Sequence, residues 1–156
     1  MCSLAGQALI KSFEGLRLEA YLDQAGIPTI GFGTIRYPNG EKVKLGDRCT
    51  EVQASDYFAH DLQRFELDVD ALTTDLAHQR QFDALVSFTY NLGTGNYRAS
   101  HLRLTVNLDP DNPVIRHEFM KWYYAGGHPN KGLWHRRHLE ANAYFNQDLP
   151  EPPFPG

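Results

Sequence analysis

Cysteine is scarce in this chain, with only Cys2 and Cys49 among 156 residues. Two thiols cannot build a disulfide framework, and Cys2 sits where a chain end usually frays, so both are expected to be free, as in a reducing cytosol. Long apolar runs are absent, since no stretch approaches the roughly 20 residues of a membrane helix. Residues 1–11 carry neither a basic leader nor a sustained apolar core and are not read as a secretory signal. Positive charge is also short: 15 Lys and Arg against 19 Asp and Glu leave a net charge of −4. That balance argues against the broad phosphate neutralisation of nucleic-acid binding. Among the seven histidines no His-Glu-x-x-His block occurs. His135 and His138 lie three apart on an expected helix face, but zinc hydrolases need three placed ligands and a base, and Arg136 and Arg137 between them would repel a cation. No metal, no cofactor, no nucleic acid and no membrane insertion are therefore expected.

What is present fits one domain with a single core: 42% of the residues are hydrophobic, and the length suits one domain. Ser3 opens a helix in which Leu4, Ala8, Leu9 and Phe13 recur at helical spacing, and Gly15 ends it beside Glu14. From Tyr21 to Leu45 apolar and polar residues alternate in short runs broken by Gly26, Pro28, Gly31, Gly33 and Pro38-Asn39-Gly40, the pattern of a small antiparallel sheet. Thr50 with Gln53 makes a capping box for a helix running to about residue 70. Residues 75–92 read as an apolar core helix stopped by Gly93. A shorter helix is expected over 98–107, another from Asn112-Pro113 through Trp122, a loop over 125–130 and a last helix over about 131–146. The proline-rich end, 150–156, is expected to be extended or disordered. One helix, a small sheet and then a run of helices is an α+β order with segregated elements. A β lobe over about 15–50, a helical lobe over about 70–147 and a cleft between them are expected within one catalytic domain, 1–149.

Two carboxyl groups on opposite sides of a cleft are the minimum for hydrolysing a glycosidic bond, one to protonate the leaving oxygen and one to activate water. Glu14 stands where the first helix gives out, and Asp23 lies nine residues on at the opening of the sheet. Thr29 follows six residues later, placed to orient a water. Acidic pairs at this spacing also arise as ordinary solvated charges, so spacing alone leaves both readings open.

The surrounding sequence is more specific. Phe13-Glu14-Gly15-Leu16-Arg17-Leu18-Glu19-Ala20-Tyr21-Leu22-Asp23, followed by Gly26-Ile27-Pro28-Thr29-Ile30-Gly31-Phe32-Gly33, closely resembles the active-site signature of phage-type lysozymes, glycoside hydrolase family 24, which includes the T-even and lambdoid endolysins. Ala84 to Tyr97 is similar to the aromatic-Asn-x-Gly-x-Gly block that closes that family's core helix. Trp122-Tyr123-Tyr124-Ala125-Gly126-Gly127, with Lys131-Gly132-Leu133 and Arg136-Arg137, is similar to the lambdoid branch. The resemblance runs over roughly residues 4–146.

This resemblance implies a lysozyme-like, mostly helical fold and an endolysin that cleaves the β-1,4 bond between N-acetylmuramic acid and N-acetylglucosamine with inversion. It implies Glu14 as general acid and Asp23, with Thr29, as the base on the opposite face. By the same resemblance Gly33, Ile35, Tyr90, Ser100 and Asn130 contact the substrate, and Arg137 or Arg136 approaches Glu14. The structural alternatives are that Tyr90 is core and Asn130 only a helix cap. Where many relatives carry His after Gly-Phe-Gly, this chain has Thr34, so an ion pair built on that His is absent. The isoelectric point of about 5.9 is low for an enzyme on an anionic wall, and weak adsorption is expected unless Lys131, Arg136 and Arg137 form a basic rim. The implied partner is the peptidoglycan glycan strand. A monomer folding in the host cytoplasm and reaching the wall through a holin lesion is the implied route. A module that only binds peptidoglycan, or a part of a virion or toxin system, is the alternative.

Overall fold

A computed structural model describes every residue except Asp75 and Ala77. Its order is α1 (Leu4–Glu14), β1 (Arg17–Leu22), β2 (Pro28–Gly31), α2 (Glu51–Leu72), α3 (Gln79–Leu92), α4 (Thr94–Ala99), α5 (His101–Leu108), α6 (Val114–Met120), β3 (Tyr124–Ala125), β4 (His128–Pro129) and α7 (Lys131–Phe145). The expected sequence of helix, small sheet and helices is thus observed. The chain divides into two compact units, Ala8–Arg64 on one hand and Met1–Gln7 with Phe65–Gly156 on the other.

In the unit Ala8–Arg64, β1 and β2 form an antiparallel hairpin in which Tyr21 pairs with Thr29 and Leu22 with Pro28. Ile10, Ile30, Val43, Ala54, Phe58 and Leu62 are its buried apolar residues. Lys11 places its ammonium 4.9 Å from the Phe32 ring and 5.0 Å from the Phe58 ring, a geometry that favours a cation against two π faces. This contact ties the last turns of α1 to the chain after β2 and to α2. The capping box forms as expected, with Gln53 N–H donating to Thr50 Oγ1 at 3.1 Å and Thr50 N–H to Gln53 Oε1 at 2.9 Å. Thr34 donates its hydroxyl to Asp61 Oδ2 at 2.7 Å. Burial pushes the Asp61 carboxyl up, opposed by that hydrogen bond and by Arg64 and His60.

In the larger unit α3 and α6 pack against α7. Phe88 lies edge-on to Tyr97, Phe119 and Trp122 at 6.2, 5.8 and 5.6 Å. Beneath these rings is a charge cluster that hydrophobic periodicity could not reveal. Glu140, fully buried, lies 2.7 Å from Arg137 Nε and 3.4 Å from Arg136 Nε. It also accepts a hydrogen bond from Ser87 Oγ at 2.5 Å. Arg137 donates to Asn91 Oδ1 at 2.7 Å and stacks over Phe88 at 5.1 Å.

Several expectations need correction. The chain start is pinned, not frayed: Cys2 is buried, its N–H donates to Glu66 at 2.6 Å, and Ser3 N–H donates to Asp83 at 2.9 Å. Both cysteines are free, as expected. The core helix was expected from 75, but Asp75 and Ala77 lie outside the described residues, and the helix begins at Gln79, where the Gln81 carboxamide reaches back to His78 N–H at 3.2 Å. The single helix expected over 98–107 is two, because Ser100 turns to an extended conformation and caps α5. The helix expected through Trp122 stops at Met120. The loop over 125–130 is a short hairpin whose turn is Gly126-Gly127 at φ 56° and 78°, a conformation only glycine adopts cheaply at two successive positions. The proline-rich end has no regular structure, yet Trp134 Nε1 donates to Pro152 O at 2.9 Å and His135 pairs with Glu151 at 2.6 Å. Proline removes donors, but its carbonyls still accept.

Two outcomes follow from these packings. Glu140→Ala leaves two buried guanidinium groups without the counter-charge they share and should cost about 3–5 kcal/mol in urea unfolding, whereas Asp56→Ala on the exposed face of α2 should stay within about 0.5 kcal/mol. Asp61→Asn should raise the melting temperature at pH 7 and have no such effect near pH 3. The raised carboxyl makes wild-type stability greatest below the ordinary Asp range, with loss as pH climbs through the raised value. Asn mimics the protonated form at every pH.

Candidate active site

The three expected catalytic positions all fall in the unit Ala8–Arg64. Glu14 is the last residue of α1 and is half-buried. Gly15 follows at φ 68°, with its N–H donating to Lys11 O at 3.0 Å. This left-handed step closes the helix and frees the chain to enter β1 two residues later. The Glu14 side chain thus leaves from a fixed helix end.

Asp23 sits at the mouth of the β1–β2 hairpin. Its N–H donates to Ile27 O at 3.0 Å and Gly26 N–H donates to its carbonyl at 2.9 Å. Its Oδ1 accepts from both Ala25 N–H and Ile27 N–H, each at 2.9 Å. This side-chain turn is what Asp does well at such a position, and it fixes the rotamer. Oδ2 accepts no hydrogen bond from the described residues and is left for another donor.

Thr29 is directly across the ladder from Tyr21, and Asp23 is two residues on from Tyr21. Residues two apart share a face, so Asp23 and Thr29 are diagonal neighbours on one side of the hairpin, roughly 7–8 Å apart at the backbone. Thr29 is 3% exposed, and its hydroxyl donates to Ile27 O at 2.8 Å. With that hydrogen committed, its oxygen can act toward a third group only as an acceptor.

Tyr21 ties Glu14 to Asp23. Its phenol is pushed up by burial and then by the negative charge of Glu14, with a further push from Asp23 against the pull of Arg17. The Arg17 guanidinium lies 4.4 Å from the Tyr21 ring centre. One phenol therefore stands within electrostatic reach of both carboxylates. Strand parity relates Tyr21 to Asp23 in the sequence, but the approach of Glu14 depends on how α1 is held and has no sequence signal.

The expected substrate contacts are divided between the units. Gly33 and Ile35 belong to Ala8–Arg64: Gly33 lies in the turn closed by two bonds between Ile30 and Thr34, each 2.9 Å, and Ile35 is 48% exposed. Tyr90, Ser100, Asn130, Arg136 and Arg137 belong to the other unit. Tyr90 is half-buried, 5.3 Å from the Phe65 ring. Ser100 is 2% exposed, donates to Tyr97 O and accepts from Arg103 N–H, which makes it a helix cap. Asn130 caps α7 by accepting from Leu133 N–H at 2.9 Å, and its amide group carries the remaining donors. Arg136 and Arg137 share Glu140 and form no exposed basic rim. Among the described residues no three His, Cys, Asp or Glu are grouped to hold a metal ion. The two histidines weighed as ligands are engaged elsewhere, His135 with Glu151 and His138 with Leu149 O at 2.8 Å.

Comparison with known proteins identifies the family and the fold. The phage lysozyme family model matches residues 11–140. The endolysin of Bacillus phage PZA is 40% identical over 150 residues, 96% of this chain and 56% of the phage protein. The endolysin of Salmonella phage P22 is 34% identical over 136 residues, 87% of this chain and 92% of that protein. The chain thus spans little more than half the length of its Bacillus phage relatives. Among solved structures, an endolysin from Escherichia coli O157:H7 phage FAHEc1 shares the fold with a TM-score of 0.86 and 38% identity, covering 96% of each chain. The fold is lysozyme-like, and the chain belongs to the phage lysozyme family.

Proposed function

We propose that this chain is an endolysin-type muramidase, hydrolysing the β-1,4 bond between N-acetylmuramic acid and N-acetylglucosamine of peptidoglycan by an inverting general acid/base mechanism. The observation that carries the reading is geometric: Glu14 ends α1 just before the hairpin, and Asp23 and Thr29 are diagonal neighbours on that hairpin, with Asp23 Oδ1 held by two backbone N–H groups; the charges of Glu14 and Asp23 both push the Tyr21 phenol up. Glu14 gives its proton to the glycosidic oxygen as the bond to the anomeric carbon breaks. Water adds to that carbon from the opposite face, and its proton goes to Asp23. Two features support this division of labour. Asp23 Oδ1 is occupied by two backbone N–H groups while Oδ2 is available. Thr29 has spent its hydrogen on Ile27 O. Two acceptors on one face hold the two hydrogens of a water and leave its lone pair for attack, an orientation that general-base catalysis requires.

Along the glycan, Gly33 and Ile35 offer backbone groups and an exposed apolar surface. Tyr90 and the Asn130 amide are proposed as further contacts, and Ser100 is assigned to capping alone. The route to the wall is part of the proposal and rests on family membership: a monomer that folds in the host cytoplasm, crosses through a holin lesion and lyses the cell.

Release of reducing ends from purified peptidoglycan tests the reaction. Glu14→Gln and Asp23→Asn, which preserve shape, should each lower the rate by about 10²–10⁴-fold with unfolding midpoints near that of the wild type; undiminished release by Glu14→Gln would overturn the assignment. Thr29→Val should lower kcat by up to about 10²-fold with KM little changed, and Thr29→Ser should recover most of the loss.

A further inference from the structure

A second site lies in the same unit, apart from the trio. An open pocket of about 500 Å³ is lined by Tyr37, Pro38, Asn39, Glu41, Lys42, Lys44, Asp47, Arg48 and Tyr57, and none of Glu14, Asp23 or Thr29 contributes to it. One wall is rigid. The Tyr37 and Tyr57 rings meet edge-on at 5.1 Å, and Tyr37 donates its hydroxyl to Asp47 Oδ2 at 2.7 Å. Lys44 N–H donates to the same oxygen at 2.9 Å. These two bonds hold the Asp47 carboxyl below the usual carboxylate range, so Asp47 acts as the brace of the wall.

The rim is cationic. Lys42, Lys44 and Arg48 are exposed. Among the described residues neither lysine side chain has a hydrogen-bond or ion-pair partner, and Arg48 keeps only a loose approach to Glu19 at 3.7 Å. Residues 36–48 hold four basic and two acidic side chains in a chain whose net charge is −4. Unneutralised cations gathered against the overall sign of the protein, beside a braced aromatic wall, suit a ligand with several anionic groups and an aliphatic body.

We propose that this pocket binds an acidic peptide through its carboxylates, the peptide stem of the glycan being the natural source, with Lys42, Lys44 and Arg48 pairing the carboxylates and Tyr37 and Tyr57 flanking the peptide chain. The choice of a peptide stem as the source rests on the muramidase reading. Exposed ion pairs are individually weak, and their attraction falls with salt. The site therefore adds local adhesion to a substrate that the protein as a whole repels.

The test is an NMR titration of the intact protein with a synthetic N-acetylated Ala-Glu-Ala-Ala tetrapeptide bearing both free carboxylates, and with its counterpart in which both carboxylates are amidated. The free acid should shift amides of residues 36–48 and of Tyr57, and the amidated peptide should not. The triple variant Lys42→Gln, Lys44→Gln, Arg48→Gln should bind about tenfold more weakly, while keeping the wild-type unfolding midpoint and the wild-type rate on a glycan stripped of peptide. Equal binding by the triple variant, equal binding of the amidated peptide, or equally strong competition by inorganic phosphate would overturn the proposal. Binding by Glu14→Gln should match the wild type. If peptide binds but no glycan is cut, the pocket stands and the hydrolase reading fails; if glycan is cut but no peptide binds, the reverse holds.

Discussion

The register of one short hairpin governs the candidate chemistry. Because side chains in a strand alternate with period two, a slip by a single residue would carry Asp23 and Thr29 to opposite faces. The register is fixed by the turn that joins the strands and by the chain that follows β2. The turn of residues 24–26 is closed by Gly26 N–H on Asp23 O, and Asp23 Oδ1 takes two more backbone N–H groups. A carboxylate assigned to catalysis therefore also supplies the turn chemistry that places it. Beyond β2, the two bonds between Ile30 and Thr34 and the Thr34 hydroxyl on Asp61 hold the following turn to α2.

The larger unit rests on a different device. Glu140 brings two guanidinium groups and the Ser87 hydroxyl to one buried point linking α7 to α3. Burying ions is costly, and such a cluster is a poor source of net stability compared with apolar packing. What it supplies is direction, because guanidinium groups bond in fixed planes, whereas the rings of Phe88, Phe119 and Tyr144 around them would tolerate small sliding.

Much of this was legible in the residues. Glu14 at a helix end before glycine, the Thr50 and Gln53 capping box and the stop at Gly93 each rest on local backbone chemistry, and local chemistry is what a sequence displays. The same reasoning failed where the decisive partner was remote or the residue's role was ambiguous. Ser100, read as a position inside one helix and as a substrate contact, is a cap whose hydroxyl bonds Tyr97 O and Arg103 N–H. Gly126-Gly127 carried a turn signal, but strands of two residues are too short for alternation to show. For Arg136 and Arg137 the resemblance points to Glu14, and nothing local reveals that they are buried; the acid they share, Glu140, is four and three residues along on their own helix, yet its burial is a tertiary fact. The approach of Glu14 to Tyr21 has the same origin, since the held end of α1 depends on Lys11 between Phe32 and Phe58.

The distribution of charge completes the argument. Under the muramidase proposal an acidic protein meets an anionic wall and is opposed by its own field, and Arg136 and Arg137 are internal and paired with Glu140. Lys42 and Lys44 remain exposed without an ion-pair partner among the described residues, with Arg48 loosely held, in a stretch of loop and turn whose backbone is set by Tyr37, Asn39 and Asp47. Screening limits the reach of such charges to about 10 Å at ordinary salt, so they cannot steer the whole molecule from a distance. Their effect is confined to whatever already lies against that pocket, which makes attraction a matter of local fit and not of net charge.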